Sequence, residues 1–109
     1  MEKRVVDALK WFGVPSHLTG YAYLKDAVVF RMLDKTLGIG EIREQVAVMH
    51  GKTVNAVERA MRYVLDRGEF NEAASVEIFG IEDAAYGLIT AGEFVFGMAE
   101  YCEYQEEGK

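Results

Sequence analysis

The chain has one cysteine among its 109 residues, Cys102, so no internal disulfide framework can hold it together. A lone thiol suits a reducing compartment. Only two histidines are present, His17 and His50, far apart in sequence and without partners at metal-ligand spacing. Neither a metal nor a cofactor is therefore expected. No apolar run approaches the roughly 18 residues needed to cross a bilayer. Met1-Glu2-Lys3-Arg4 leads into amphipathic sequence, not the apolar stretch of a secretory signal. These absences predict a soluble cytoplasmic protein with no membrane partner. Strand-like alternation is confined to Val76 to Ile81, and there is no repeat, low-complexity tract or linker. The class expected is all-α, with a single domain over residues 1–109.

Basic residues are scarce in one part of the chain only. The net charge is −6, the wrong sign for a nucleic-acid binder. Residues 1–68 carry a net charge of +3, whereas residues 69–109 carry −9 and hold a single lysine, Lys109. The acidic segment reads first as a solvated face that aids solubility. It would also repel DNA or meet a basic partner. Half of the residues are hydrophobic and 28% are charged, the balance of a folded chain. A chain of this length buries about two-thirds of its unfolded surface.

Helical spacing accounts for most of what is present. Val5, Ala8, Leu9 and Phe12 form one stripe of a helix from Glu2 to Phe12, which Gly13-Val14-Pro15-Ser16 stops. A second helix is expected from Thr19 or Gly20 to about Lys35, apolar on so many sides that it should be central. Gly38-Ile39-Gly40 is too short to cradle phosphate and is expected to form a positive-φ turn. A short helix is expected over Asn71 to Ile78, bounded by Gly68 and Gly80. Thr90-Ala91-Gly92-Glu93 has capping-box spacing and should open the last helix, followed by Phe94, Val95, Met98, Tyr101 and Cys102. Cys102 on that stripe reads as a core residue, not a nucleophile. No two carboxylates single themselves out as an acid/base pair. Enzyme chemistry is not expected.

Residues Gln45 to Arg67 read as a helix, a tight turn at Gly51-Lys52-Thr53 and a second helix. On a wheel of about 100° per residue, Val57, Ala60, Met61, Val64 and Leu65 fall on one side of the second helix. Asn55, Arg59, Arg62, Tyr63 and Asp66 fall on the other. An apolar back with arginines, an amide and a tyrosine in front suits a helix lying in a DNA major groove. Ala47 is small where the two helices must approach, Gly51 permits the turn, and Thr53 can cap the second helix. The alternative is a solvated surface helix in which Glu58 and Asp66 neutralise Arg59 and Arg62.

Two stretches tie this pattern to a family. Gly13-Val14-Pro15-Ser16-His17-Leu18-Thr19-Gly20-Tyr21-Ala22-Tyr23-Leu24-Lys25-Asp26-Ala27 resembles the opening of the DNA-binding effector domain of stage-zero sporulation protein A, a response regulator of endospore formation. Val57-Glu58-Arg59-Ala60-Met61-Arg62 is similar to that family's recognition helix. Ile78-Phe79-Gly80 and Thr90-Ala91-Gly92-Glu93-Phe94 follow in order. In the motif from Gly13 to Ala27, Pro15 and Gly20 are read as punctuating a turn, with Tyr21 and Tyr23 anchoring the helix that follows.

The resemblance implies about six helices around a helix-turn-helix, a winged-helix-like effector domain that binds double-stranded DNA as tandem copies or a homodimer. By position it places Asn55, Glu58, Arg59, Arg62 and Tyr63 on the DNA-contacting surface. Arg59 is the candidate for base readout, and Lys52 and Arg62 are candidates for phosphate contacts. Serine and histidine are usual in the family at the positions of Asn55 and Tyr63. Ala56 stands where an arginine is usual, and so loses a contact. The family's receiver domain has no counterpart here, which excludes phosphorylation control in cis if the chain is full length. The function expected is sequence-specific DNA binding in transcription regulation, through a recognition helix at about 53–67. The alternative is an effector-like protein-interaction module that meets the transcription machinery or a full-length relative through its acidic half.

Overall fold

A computed structural model describes residues 1–67, 69–81 and 89–107. They form six helices: α1 (Glu2–Phe12), α2 (Thr19–Leu33), α3 (Ile39–His50), α4 (Val54–Arg67), α5 (Glu72–Phe79) and α6 (Ala91–Glu107). There is no strand among the described residues. The fold is all-helical.

Each helix end has a local cause. Gly13 closes α1 with φ 102°, a left-handed conformation that L side chains resist, and its N–H reaches the Leu9 carbonyl at 3.0 Å. α2 stops at Leu33, two residues short of the expected end. Asp34 turns to an extended conformation, and its Oδ1 accepts from the Thr36 N–H at 2.9 Å and hydroxyl at 2.6 Å. The Arg31 guanidinium then donates to the carbonyls of Lys35 and Leu37 at 2.6 and 2.9 Å. At the start of α6 both halves of the capping box are made. Glu93 N–H donates to Thr90 Oγ1 at 3.0 Å, and Thr90 N–H donates to Glu93 Oε1 at 3.1 Å.

Two expectations need correcting. Gly38 has φ −82° and caps α3 in an extended conformation, so Gly38-Ile39-Gly40 is no positive-φ turn. Gly40 lies inside α3, which begins at Ile39, six residues before Gln45. The short helix expected over Asn71 to Ile78 is α5, and it takes in most of the alternating stretch Val76 to Ile81. Asn71 caps that helix through its Oδ1, which accepts from the Ala74 N–H at 3.0 Å, and the side chain of Phe79 docks over Gly97 of α6. A cap plus packing against a long helix outweighs a period-2 pattern over six residues. Gly80 closes α5 at φ 72°, while Gly68 lies outside the described residues.

The core forms around α2 and α6. α2 touches α1, α3, α4 and α6, as the width of its apolar surface requires. Fully buried Phe12 stacks on Phe70 with centroids 4.5 Å apart, and meets Phe79 and Phe94 edge-on at 5.2 and 5.5 Å. Such a ring contributes about 2–3 kcal/mol by burial alone. Asn71 N–H donates to the Phe12 carbonyl at 2.9 Å, tying the approach to α5 to the end of α1. Gly20, read from sequence as turn punctuation, is the second residue of α2 and allows α4 to approach. A Cβ there would stand 2.2 Å from the Ala60 carbonyl oxygen.

Candidate nucleic-acid interface

Helices α3 and α4 follow one another across a tight turn at 51–53. Gly51 takes φ 64°, and the turn is closed by Gly51 N–H to the Val48 carbonyl at 3.2 Å and Lys52 N–H to the Ala47 carbonyl at 2.9 Å. Thr53 Oγ1 accepts from the Ala56 N–H at 3.1 Å, the N-cap its position suggests. Ala47, the small residue near the end of α3, is buried.

α4 has the two faces read from its sequence. Val57, Met61, Val64 and Leu65 are buried. Asn55, Glu58, Arg59, Arg62, Tyr63 and Asp66 line one shallow concavity on the outer side. Thus Asn55, Glu58, Arg59, Arg62 and Tyr63 are brought together. Ala56 is half-buried beside them, and Lys52 and Thr53 stand exposed at the turn.

The electrostatics of this face decide whether it stays cationic. Arg62 Nη1 is 4.0 Å from Asp66 Oδ1, and both side chains are nearly half exposed, so the pair is worth well under 1 kcal/mol. The Arg67 guanidinium lies 4.6 Å over the Tyr63 ring, which orients the ring and leaves the charge in place. No side-chain hydrogen bond or ion pair engages Arg59, Lys52 or Glu58 among the described residues. None of Glu69, Glu72, Glu77, Glu93, Glu100 and Glu103 pairs with Arg59, Arg62 or Arg67. Glu103 is held instead by Lys35 at 2.6 Å, and Glu93 by its own helix cap. Among the described residues, then, nothing but the weak Asp66 contact offsets the cations on the outer face of α4.

Cys102 is buried in the core, with Sγ 3.9 Å from the Arg4 carbonyl. No cluster of His, Cys, Asp and Glu able to hold a metal occurs among the described residues. No described helix is long and apolar enough to cross a membrane. Burial pushes the Tyr101 hydroxyl above its usual range, and the nearby Glu77 adds to this, but that ring lies between α1, α5 and α6, away from the helix-turn-helix.

Sequence reasoning missed two features near the turn. Val48 and Met49 point outward from the end of α3, 83% and 61% exposed, beside cationic Lys52. His50, set aside for lack of a metal partner, hydrogen-bonds Asp26 of α2. A separation of 24 residues leaves no local pattern by which that pair could be found.

Residues 5–100 match the family described as sporulation initiation factor Spo0A C terminal. The match spans most of α1, all of α2 to α5 and the first part of α6, and so includes α3, α4 and the turn between them. The helical architecture and the exposed cationic face of α4 agree with it, and the chain belongs to the Spo0A C-terminal family of helical, DNA-binding domains of sporulation regulators.

Proposed function

We propose that the protein is a sequence-specific DNA-binding transcription regulator that lays α4 in the major groove. The observation that carries this reading is the outer face of α4, where the Arg59 side chain is exposed amid Asn55, Glu58, Arg62 and Tyr63 with no hydrogen-bond or ion-pair partner among the described residues. In this reading Arg59 reads base edges by its planar fork of donors. Asn55, Glu58 and Tyr63 flank it, while Lys52 and Arg62 contact phosphates and set the register. The capped N-terminus of α4 points the same partial positive charge toward the backbone. Ala56 offers only a methyl group for contact with a thymine methyl. Tandem copies or a homodimer on double-stranded DNA would raise the avidity that one short helix lacks.

Selection from a random duplex pool at two salt concentrations tests this reading. A defined sequence should be enriched, bound more tightly than random DNA, with affinity falling as salt rises. If nothing is enriched even at low salt, the reading fails. A protein-docking role for the acidic half is the second reading. Tyr104 and Val76 are exposed on α6 and α5, and Tyr104 lines a groove with Glu77 and Glu100. A chain that enriches no duplex yet binds purified RNA polymerase through that groove would favour it.

A further inference from the structure

α4 is attached to α2 in two places. Near its middle, Gly20 lets the Ala60 carbonyl and the Val64 side chain occupy the space a Cβ would fill. The second attachment runs through the turn. His50 is the last residue of α3, four residues before α4 begins, and its Nε2 lies 2.7 Å from Oδ2 of Asp26 on α2. An ionised carboxylate only accepts, so Nε2 is the donor. The side chains are 13% exposed at Asp26 and 28% at His50, a setting in which a hydrogen bond to a charged group outweighs a surface ion pair. The Tyr23 ring meets the imidazole edge-on with centroids 4.8 Å apart and limits its rotation. Lys25 Nζ stands 3.9 Å from the other Asp26 oxygen and 2.9 Å from Glu2 of α1, so the carboxylate is also flanked by a held cation.

There is little slack between His50 and α4. Gly51, Lys52 and Thr53 are each committed to a backbone or capping hydrogen bond. Gly20 and Asp26 are six residues apart on α2, about 9 Å along its axis. Two anchor points that far apart on one helix set the direction of α4 as well as its contact.

We propose that Asp26 and His50 are positioning residues for DNA recognition. Through the turn at 51–53 they fix the N-terminal half of α4, and so Asn55, Glu58 and Arg59, without touching DNA themselves. This rests on the reading of α4 as the recognition helix.

The test uses the full chain with Asp26→Ala, His50→Ala, the double variant, and His50→Gln, whose amide can still donate to Asp26. On the duplex enriched by the wild type, each alanine variant should lose about tenfold in affinity. The double variant should lose no more than either single one, and His50→Gln should recover most of the loss. The slope of log affinity against log salt should stay that of the wild type, because no phosphate contact is removed. Without DNA, the Ala56 and Val57 amides should exchange about tenfold faster in Asp26→Ala, while those of Phe94 to Met98 keep their protection. Unchanged affinity with unchanged exchange at Ala56 and Val57 would overturn the proposal. Equal acceleration in α6, the mark of a merely global weakening, would do the same, as would a shallower salt slope in His50→Ala, which would make His50 a phosphate contact. A wild-type chain that enriches no duplex removes the DNA reading, and the exchange measurement alone then decides whether the pair positions α4.

Discussion

Replacing Gly20 by alanine should destabilise the fold although alanine is the better helix former. In an open helix the exchange gains about 1 kcal/mol. Here the new Cβ would lie 2.2 Å from the Ala60 carbonyl oxygen, 2.7 Å from its carbon and 2.6 Å from Val64 Cγ2. Val64 could rotate, but the Ala60 carbonyl is backbone in the middle of α4. Relief requires α2 and α4 to separate by roughly 1 Å, which forfeits a quarter to a half of the dispersion contact along that crossing. Overpacking of this kind costs about 1–3 kcal/mol and more where backbone must move. The expected net loss is about 2 kcal/mol, or a melting temperature lower by about 10 °C for a chain of this size. Gly40→Ala is the matched control. That glycine is also helical, yet nothing lies within 4 Å of where its Cβ would stand, so alanine there should stabilise by up to about 1 kcal/mol. Thermal and urea unfolding followed by helical circular dichroism would compare the two. If Gly20→Ala unfolds at or above the wild-type midpoint, the close crossing of α2 and α4 is not as described.

The remaining predictions concern α4 and its turn. Arg59→Ala should reduce discrimination between the selected duplex and its single-base variants by about 1–3 kcal/mol at one position, measured by competition binding. Lys52→Ala should weaken binding to all duplexes alike and flatten the salt slope by about 0.9, the signature of one lost phosphate contact. Thr53→Ala removes the acceptor of the Ala56 N–H and should cost about 1 kcal/mol of stability in urea unfolding. Ala56→Arg should raise affinity for the best-matched duplex about tenfold in a repeated selection, and an unchanged optimum and affinity would count against a base-facing position there.

Features that reside in a few adjacent residues were the readable ones. The span of α1 follows from four apolar residues at helical spacing and the glycine after them, and α6 begins where a threonine and a glutamate three apart say it should. The outer face of α4 was likewise visible on a wheel, because its alternative fate as a neutralised surface turned on acids only a turn away. What escaped depended on distant partners. Gly20 looks like punctuation until Ala60, forty residues later, is found against it. Nothing in the sequence around Phe79 tells that its ring will sit over Gly97, eighteen residues later. Gly38 between two apolar runs suggests a left-handed turn, but the backbone there needs only an extended cap.

The two faces of α4 also bear on how such a domain can change over generations. Val57, Met61, Val64 and Leu65 keep the helix in place, while the outward residues line an open concavity. Substitutions at exposed sites of this kind usually alter stability by less than about 0.5 kcal/mol. If α4 reads DNA as proposed, a lineage can therefore rewrite the address it recognises, residue by residue, on a scaffold that scarcely registers the edit.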